Sequence, residues 1–525
     1  MARRFHGLRA EPNKSYDAVI IGAGVGGLIC ANLLARAGMS VLLIEQHFMA
    51  GGYCSTFRRK GYTFDAATHF YPLLGNPSTI TGALLQELGI TTEWIKMDPV
   101  DCFHLPDGTR FPVPADLDSY LNKLKTEFRE EAENIDRFFA LVRKTYLMGL
   151  MQYFHNIPTD RLAPYQDLTI LEALNQHFRS ERLKLLLAGD IGHWGSLPSR
   201  TSFVFDSMLR YSYFLGNYYP RGGSQSFVDE LAQRFEEAGG HILMSSLVRR
   251  ILVRNHTAWG VEVETGTLRH RTRLQIAAGA VVSNADMLLT LERLIGPELL
   301  DPDYLAGISR LRPTIPCFLI HFGLKDIALG ELGKIAGHHW SSWNMDDVAT
   351  DSFKVFLPTA YDPGLAPPGG QIAIIQKLTD IDYGAIGDWA AHKKVVEDDI
   401  VRYLEHRLPG FTSHITIQMS ASAQTSHRYT LNHHGAMLGW QMSPDQLGSA
   451  RPGVSGHFKN LYFVGHWTQP GGGITPVMVS AMQVAKLITG NANDRTIQMA
   501  GKMEAHNTVG ALPYERNDSP VHSKG

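Results

Sequence analysis

Hydrophobic and polar residues near the start of the chain follow the periods of a strand, a helix and a second strand. Residues 16–21 form an apolar, β-branched run of strand length. Residues 28–37 have the composition of a helix that ends at Gly38, and a second apolar run, residues 41–44, ends at Glu45. The pattern therefore predicts a strand, a glycine-rich turn, a helix, and a strand that finishes on an acid.

Helical patterns recur in the middle of the chain. Residues 117–146 carry apolar side chains on one helical stripe, which predicts a single long helix. Asp116 stands where it can cap that helix. Thr169 and Glu172 have the spacing of a capping box, which predicts a further helix.

Strand patterns appear in the second half of the chain. Residues 317–322 and 372–376 read as strands, so we expect a sheet backed by helices in this region. Residues 460–465 read as a strand that closes on glycine, and residues 477–488 read as a helix. The far end of the chain thus repeats the order of strand, glycine loop and helix.

Composition narrows the class of protein only a little. Of the 525 residues, 44% are hydrophobic and 19% are charged, with a formal net charge of −2, which is ordinary for a globular chain. A charge this close to neutral gives no sign of a surface with concentrated Lys and Arg, so the sequence does not predict a nucleic-acid partner. The four cysteines have no CxxC spacing, so the sequence predicts neither disulfides nor zinc and favours a reducing, cytoplasmic compartment.

The termini and the lengths of the apolar runs indicate how the chain could associate with a membrane. Residues 1–15 are basic and without an apolar core, and residues 491–525 are polar and aperiodic, so we expect two flexible termini. No run reaches the roughly 18 apolar residues of a spanning helix. The expected localisation is therefore cytoplasmic, with peripheral association to a membrane.

The glycine turn after the first strand has the spacing of a dinucleotide-binding loop. Gly22 can make the tight turn, Gly24 lets the backbone approach a pyrophosphate, and Gly27 lets the helix pack closely on the sheet. The start of the helix then offers free N–H groups to phosphates. Glu45, 18 residues beyond Gly27, is positioned to accept hydrogen bonds from ribose hydroxyls.

A second glycine pair favours FAD over NAD as the cofactor. Gly51 and Gly52 follow soon after Glu45, which fits a cofactor whose pyrophosphate and ribityl chain extend further along the protein. The loop 465–475 leads into a helix and suits the polar edge of the flavin. A second complete dinucleotide motif is missing, so we expect a quinone, oxygen or another diffusible acceptor to reoxidise the flavin.

Four motif blocks together resemble the phytoene desaturase, carotenoid isomerase and retinol saturase superfamily of flavoproteins. These blocks are the N-terminal motif with its second glycine pair, residues 219–224 with 237–240, residues 248–286, and residues 428–475. The resemblance covers most of residues 16–490. Ala67, where the family often has glycine, and His466, where it commonly has a small or acidic residue, depart from the pattern.

The resemblance implies an α/β fold in which a discontinuous, Rossmann-like FAD-binding domain carries an inserted α+β substrate-binding domain. The FAD-binding domain would comprise residues 16–105, 220–286 and 439–490. The substrate-binding domain would comprise residues 106–219 and 287–438.

The motifs and the resemblance also give candidate site residues. By position, Asp65, His69 and His466 are candidate catalytic residues, with His433 and His434 as further candidates. His69 and His466 rank first, because they follow segments that reach the flavin in the family. Pairs of adjacent histidines lack a third ligand at suitable spacing, so no metal site is predicted. The predicted FAD-binding residues are Gly22, Ala23, Gly24, Gly26, Gly27, Glu45, Gln46, Gly51, Gly52, Thr68, Val248, Gly465, His466, Gly473, Ile474 and Thr475.

The expected substrate is a long apolar polyene of the isoprenoid type, such as a carotenoid, taken from a membrane. Two aromatic-rich stretches, residues 146–154 and 203–219, are either ordinary core or the lining of a substrate tunnel. Arg210 and Asp206 share one helical face in the second stretch and are placed to pair. Desaturation and cis–trans isomerisation both fit, and saturation and oxygenation stay open.

Two other functions fit parts of the pattern. Amine oxidases share the implied fold, but they usually have Gly-Glu-x-Thr where this chain has Gly465-His466-Trp467-Thr468. Non-catalytic escort proteins that bind prenyl lipids also share it, but the intact glycine motif and Glu45 favour a cofactor-binding enzyme.

Overall fold

The computed structural model describes residues 12–490, apart from residues 156, 158, 159, 190–192, 194, 268, 269, 348–350 and 380–382. The predicted flexible termini therefore lie almost wholly outside the described residues. Ser15, at the edge of the N-terminal segment, already belongs to the first strand.

The strands of the described chain contribute to four sheets. In chain order they are β1 (Ser15–Ile21), β2 (Val41–Ile44), β3 (Thr56–Arg59), β4 (Tyr62–Asp65), β5 (Tyr71–Pro72), β6 (Trp94–Lys96), β7 (Asp101–His104), β8 (Arg110–Val113), β9 (Asn217–Pro220), β10 (His241–Leu243), β11 (Leu247–Arg254), β12 (Thr257–Thr267), β13 (His270–Ser283), β14 (Cys317–Lys325), β15 (Gly337–Trp340), β16 (Ser352–Phe356), β17 (Gly370–Leu378), β18 (Ile415–Ala421) and β19 (Leu461–Phe463).

The α-helices flank these sheets and build the wall of a large cavity. They are α1 (Val25–Arg36), α2 (Ile80–Glu87), α3 (Leu117–Glu127), α4 (Ala132–Gly149), α5 (Ala163–Gln166), α6 (Ile170–His177), α7 (Glu181–Leu187), α8 (Phe203–Phe214), α9 (Ser224–Glu237), α10 (Met287–Leu289), α11 (Pro302–Ser309), α12 (Leu329–Leu332), α13 (Trp389–Arg407), α14 (Ala423–Thr430) and α15 (Ile474–Thr489).

The first large sheet has the order β10-β2-β1-β13-β12-β11, with β19 also paired to β13. The pairs among β10, β2, β1, β13 and β19 are parallel, whereas β11, β12 and β13 form an antiparallel meander. The parallel strands are nearly continuous apolar runs, as expected where helices cover both faces of a sheet. The carboxyl ends of β1, β2 and β13 lie at one edge, where α/β folds bind nucleotides.

The second large sheet has the order β18-β14-β17-β16-β15-β7-β8 and is mostly antiparallel. Strand β14, the second from one edge, is buried along residues 317–324, and one face packs on α13. Two small sheets, β3-β4 and β5-β9-β6, complete the strand pairing. The result is a mixed α/β fold with a partly parallel nucleotide-type sheet, as the sequence predicts.

The predicted chain division stays a prediction, and the strand pairing crosses it in two places. Segments from 16–105, 220–286 and 439–490 do supply strands to the first sheet. One crossing is β9, mostly from the predicted substrate-binding segment, which pairs with β5 and β6 of the predicted FAD-binding segment. The other is β7, which lies before residue 105 and pairs with β15 and β8 of the second sheet. Its residues Cys102 and Phe103 are buried there, so packing in the second sheet determines where this strand belongs.

The predicted single helix over residues 117–146 is wrong, because the chain breaks into α3 and α4. Phe128 ends α3 with φ −121° and ψ 62°, outside the helical region. The carboxylate of Glu131 then accepts hydrogen bonds from the backbone amides of Arg179 and Ser180, at 2.7 and 2.9 Å. These long-range bonds fix the turn, and no helical periodicity could reveal them.

The predicted helix caps are confirmed. Asp116 accepts a hydrogen bond from the amide of Ser119 at the start of α3, and Thr169 and Glu172 form a reciprocal capping box on α6. Across the described residues, no helix combines the length and the apolar character needed to cross a membrane.

Candidate active site

A single large cavity of about 1030 Å³ collects the sequence-predicted cofactor residues. All of them line it except Ala23 and Gly27. They come from the loops after β1, β2, β4 and β19, together with β11 and the start of α15. The structure therefore brings together segments that are more than 400 residues apart in the chain.

The first glycine loop leaves the start of α1 open to a ligand. Gly24 is the N-cap residue, no side chain caps the helix, and its first turn carries no acid. A Cβ atom on Gly27 would lie 2.1 Å from the carbonyl oxygen of Gly22, so only glycine allows this helix to start so close to the strand. The free amides can therefore receive a phosphate.

Glu45 is held in one orientation at the end of β2. Its Oε2 atom accepts a hydrogen bond from the amide of Ala23 and its Oε1 atom from the amide of His47, both at 2.8 Å. The carboxylate faces the cavity but lies deep in the protein, and this burial raises its pKa above the usual range. Ala23 thus acts on the site through Glu45.

A second open helix start lies at α15. Gly473 is its N-cap residue with φ +108°, and no side chain caps the helix. A Cβ atom on Gly472 would approach the carbonyl oxygen of Leu438 to 2.3 Å, so the loop is packed as tightly as a glycine backbone permits. Thr475, in the first turn, donates its hydroxyl to the carbonyl oxygen of Pro72 at 3.2 Å. This helix start joins the C-terminal loop to the segment after β4.

Asn284 is a cavity residue that the sequence analysis did not select. It follows β13, lines the cavity, and donates from Nδ2 to the carbonyl oxygen of Gly22 at 3.3 Å. The sequence did offer a signal for Asn284: it follows a strand of the third motif block, and ligands of α/β folds bind at the carboxyl ends of such strands.

Asp65, a predicted catalytic residue, does not line the cavity. Its carboxylate accepts hydrogen bonds from the Tyr219 hydroxyl at 2.5 Å and from the amide and hydroxyl of Ser224 at 2.8 and 2.7 Å. Burial raises its pKa. Asp65 therefore ties β4 to the start of α9, and it has no direct access to a substrate.

His69 and His466 both line the cavity, and burial lowers the pKa of each to about 3. The nearby charge of Lys354 adds to the effect at His69, and that of Arg451 adds to it at His466. Both rings are therefore neutral at pH 7. His466 Nε2 lies 3.4 Å from Oδ1 of Asn432.

Both aromatic stretches of the sequence contribute to the cavity wall. Tyr146, Tyr153 and Phe154 line it from the first stretch, and Phe205 and Tyr213 line it from the second. The other aromatic residues of the second stretch lie outside this lining: Phe203, Tyr211 and Tyr219 are buried, whereas Phe214 is half-buried and stacks on Tyr120 with 5.3 Å between ring centroids. The predicted pairing of Arg210 with Asp206 is confirmed by two hydrogen bonds, 3.0 and 2.8 Å long.

A buried polar cluster lies beside the cavity, formed by Asp101, His193, His338 and Lys354. The ligand atoms of Asp101, His193 and His338 lie within 4.8 Å of one another, as in a metal site. However, the Lys354 ammonium lies 2.6 Å from Asp101 Oδ2 and 3.0 Å from His193 Nε2. A cation already occupies the position that a metal would take.

The donor set of the large cavity fits FAD. Two glycine-capped helix starts offer amides to the pyrophosphate and to the polar edge of the flavin, and an oriented carboxylate faces the cavity beside the first of them. Cβ atoms on Gly27 and Gly472 would collide with the carbonyl oxygens of Gly22 and Leu438, so the close backbone packing that shapes both loops requires glycine at these positions. The fold and this site define an FAD-dependent oxidoreductase.

The chain belongs to the flavin containing amine oxidoreductase family, whose model matches residues 25–489. Prolycopene isomerase, chloroplastic, of Daucus carota is 27% identical over 510 residues, covering 90% of this chain and 80% of that protein. Phytoene desaturase (lycopene-forming) of Pseudescherichia vulneris is 26% identical over 502 residues, covering 90% and 98%. All-trans-retinol 13,14-reductase of Danio rerio is 29% identical over 371 residues, covering 66% and 60%. The predicted superfamily is thereby confirmed.

Solved structures agree with this fold. An oxidoreductase from Methanosarcina mazei superposes with a TM-score of 0.62 at 18% identity, covering 89% of this chain and 99% of the other. Putrescine oxidase bound to putrescine superposes with a TM-score of 0.64 at 13% identity, covering 91% and 100%. At these identities the similarity establishes the fold and leaves the substrate to other arguments.

Proposed function

We propose that this FAD-dependent oxidoreductase acts on a long, apolar, conjugated isoprenoid, by carotenoid-type desaturation or cis–trans isomerisation. The observation that carries the proposal is the lining of the cavity, which continues from the cofactor loops into a wall of aromatic and aliphatic side chains. The names of the relatives with 26–29% identity, which refer to carotenoids and retinol, support the same substrate class.

The scarcity of acidic residues in the cavity lining argues against an amine substrate. An amine or amino-acid substrate that binds as a cation would need a fixed ionic partner inside its pocket. Glu45 is the one Asp or Glu among the cavity-lining residues that the structure describes, and it sits beside the loop proposed to bind the cofactor's adenosine half. A prenyl-lipid escort protein, which binds no flavin, would not require two uncapped helix N-termini and an oriented Glu45.

We assign the cofactor-binding role to the predicted residues that line the cavity. Gly24 and the start of α1 would hold the pyrophosphate, Glu45 the adenosine ribose, and Gly473 with Thr475 the flavin edge. Bound FAD would supply a two-electron acceptor for a hydride taken from a C–H bond beside a conjugated chain.

Substitutions in the first loop test this assignment. Glu45→Ala is expected to weaken FAD binding by about 1.5–3 kcal/mol, because a charged acceptor is lost. Gly24→Val is expected to weaken it further, since a Cβ atom there already comes within 2.9 Å of Asn284 Nδ2. FAD affinity is measured by fluorescence titration, with Gly453→Ala, whose Cβ meets no atom within 4 Å, as the matched control. Unchanged affinity in both loop variants would contradict the assignment.

None of Asp65, His69 and His466 is suited to be a strong base. Asp65 is saturated with hydrogen bonds and lies outside the lining, and pKa values of about 3 make His69 and His466 weak proton acceptors. A cation spread over a polyene loses a proton without a strong base. We therefore propose that Asp65 positions β4 and α9, and that His69 and His466 orient ligands by hydrogen bonding.

The direct test compares polyenes with amines. FAD-loaded protein is given carotenoid precursors in liposomes, with and without a quinone or oxygen as acceptor, and in parallel a panel of amines. We expect a shifted polyene absorption spectrum and no reduction of the flavin by amines. Phe154→Asp should abolish polyene conversion because it places a charge in the wall, whereas Phe214→Leu, outside the lining, should retain it. Flavin reduction by amines alone would replace the proposal with amine oxidation.

We also propose that the protein is cytoplasmic and attaches peripherally to a membrane from which its substrate enters. Met151, Ile157 and Leu487 are 45%, 49% and 52% exposed, which is high for large apolar residues. They are neighbours, because Ile157 donates its amide to Met151 and Gln483, one turn before Leu487, donates to the carbonyl oxygen of Tyr153. Tyr153 lines the cavity, so this patch borders the substrate wall.

The attachment is tested by co-sedimentation with anionic phospholipid vesicles. Met151→Glu and Leu487→Glu should reduce the bound fraction, because burying a charge in the acyl region is unfavourable. Val395→Glu serves as the matched control, since Val395 is 60% exposed but lies on α13, which packs against the second sheet. Equal binding of all variants, or no binding of the parent protein, would contradict the attachment.

A further inference from the structure

Part of the cavity wall is polar, in contrast to its aromatic and aliphatic remainder. His69, Gln376 and His193 line this part. The His69 ring is 2% exposed and stacks on Phe356 with 4.7 Å between centroids and an interplanar angle of 7°. Stacking fixes the plane of the ring, so its two nitrogen atoms point in defined directions.

Buried hydrogen-bonding atoms in this wall lack protein partners. Among the described residues, neither ring nitrogen of His69 has a hydrogen-bond partner, and no donor lies within hydrogen-bonding geometry of Gln376 Oε1. The Gln376 amide lies close enough to raise the pKa of His69 slightly, but the two side chains do not form a well-aligned bond. Because buried polar atoms are nearly always satisfied, these atoms point to a ligand that carries polar groups.

The buried cluster behind the wall fixes the chemistry of its histidines. An ammonium group can only donate, so His193 Nε2 must accept from Lys354 and the proton of His193 resides on Nδ1. Lys354 also lies 3.6 Å from the centroid of the Phe70 ring, next to His69 in the chain. The cluster holds this part of the wall rigid and neutral in net charge, because Asp101 compensates Lys354.

The charge balance selects a neutral ligand group. A carboxylate would require a cation, but the Lys354 ammonium is already paired with Asp101 at 2.6 Å. An ammonium group would be repelled by Lys354 and would find no carboxylate among the described residues that line this part of the wall. A hydroxyl group fits, since it can donate to Gln376 Oε1 and accept from the N–H of the neutral His69 ring.

We propose that His69 and Gln376 form a subsite for a neutral hydroxyl group on the isoprenoid substrate, with Asp101, Lys354 and His193 as positioning residues behind it. This inference rests on the proposed polyene function and makes it more specific. A hydrocarbon would leave the polar atoms of the subsite unsatisfied, whereas an isoprenoid alcohol satisfies them. The enzyme is therefore expected to prefer hydroxylated polyenes over hydrocarbons of the same length.

The experiment measures binding of three matched probes to the FAD-loaded protein through perturbation of the flavin spectrum. The probes are all-trans-retinol, the hydrocarbon in which hydrogen replaces its hydroxyl group, and the corresponding carboxylate, retinoic acid. We expect the alcohol to bind about tenfold more tightly than either of the others. His69→Phe, which preserves the ring stack, and Gln376→Leu should reduce the affinity for the alcohol to that for the hydrocarbon.

Gln371→Leu is the matched control, because Gln371 is also a half-buried glutamine of β17 whose buried Oε1 atom has no partner among the described residues, but it does not line the cavity. It should leave all three affinities unchanged. Equal affinity for alcohol and hydrocarbon, or tightest binding of the carboxylate, would overturn the subsite while the polyene function stands. Loss of FAD from His69→Phe or Gln376→Leu would show that these groups face the cofactor, which also overturns the subsite. If no polyene binds at all, the proposed function itself fails.

Discussion

At the scale of single residues, Asn284 explains why so many glycines surround the cofactor loops. Cβ atoms added to Gly24, Gly26 and Gly465 would come within 2.9, 2.8 and 2.7 Å of its amide. The amide occupies the space that their side chains would need, and it donates to the carbonyl oxygen of Gly22. These glycines therefore admit Asn284 as well as a pyrophosphate.

The predicted roles of single residues depend on neighbours that a sequence does not display. The spacing of Glu45 from the glycine loop was enough to identify it, because β1, α1 and β2 are contiguous. From the sequence alone, Asp65 and His69 were both plausible catalytic residues. In the structure, however, the Asp65 carboxylate accepts hydrogen bonds from Tyr219 and Ser224, more than 150 residues away in the chain. Local motifs can be recognised in the sequence. Hydrogen bonds to a carboxylate from donors far away in the chain cannot be recognised there.

His321 makes stability dependent on pH. Its Nε2 donates to the carbonyl oxygen of Asp65 at 2.9 Å, and burial lowers its pKa to about 4, below the 6.5 of an unfolded chain. The unfolded state therefore takes up the proton first, so the contribution of His321 is complete above pH 6.5 and is lost as the pH falls towards 4.

We accordingly expect the unfolding free energy of His321→Gln to fall less than that of the parent between pH 7 and pH 5. Between pH 7 and pH 5, the parent should lose about 2 kcal/mol more unfolding free energy than the variant. Thermal or denaturant unfolding of the FAD-loaded proteins over this range measures it. Parallel curves for variant and parent would show that His321 is protonated in the folded state.

At the scale of secondary-structure elements, α8 combines a cavity wall with a buried ion pair. Phe205 and Tyr213 face the cavity, while Asp206 and Arg210, 0% and 4% exposed, pair one turn apart. Arg210 also donates to the carbonyl oxygen of Leu187 at 2.5 Å, which connects α8 to the end of α7. The pair was predictable from its i,i+4 spacing, but its burial and the link to α7 were not.

Breaking this pair should destabilise the protein strongly. Arg210→Met leaves the Asp206 carboxylate buried without its partner, and we expect a loss of about 3–5 kcal/mol in the free energy of unfolding. The double variant Asp206→Asn with Arg210→Met removes the uncompensated charge and should recover most of that loss. Denaturant unfolding of both variants tests the expectation. A double variant as unstable as Arg210→Met alone would show that packing or the Leu187 bond dominates.

Elements with strong local signals were predicted well and those fixed by distant contacts were not. The strand β2 and the capping box on α6 follow from local sequence alone. The break between α3 and α4 depends on Glu131 reaching backbone amides near α7, and β7 joins the second sheet through pairing with β15. Apolar periodicity is the same on either side of such a contact, so it carries no information about the break.

At the scale of the whole molecule, the cofactor cavity is lined by distant parts of the chain, which the pairing of β1, β13 and β19 in the first sheet also holds together. Its wall includes Gly24 from the first glycine loop, Val248 from the antiparallel meander and Gly473 from the last helix. His69 and Gln376 add the junction with the second sheet. A ligand that spans these segments is bound by the folded state alone.

Removing FAD should therefore lower the stability of the entire chain. For a ligand that binds only the folded state, we expect FAD at 100 times its dissociation constant to add about 2.7 kcal/mol, and each further tenfold in concentration to add about 1.4 kcal/mol. Thermal unfolding of the apoprotein with graded FAD measures this. FMN, which lacks the adenosine half, provides the matched comparison: it can use the start of α15 but neither Glu45 nor the pyrophosphate amides of α1, so it should stabilise less at equal concentration. A melting temperature independent of FAD, or equal stabilisation by FMN and FAD, would contradict the view that the two helix starts hold opposite ends of one dinucleotide.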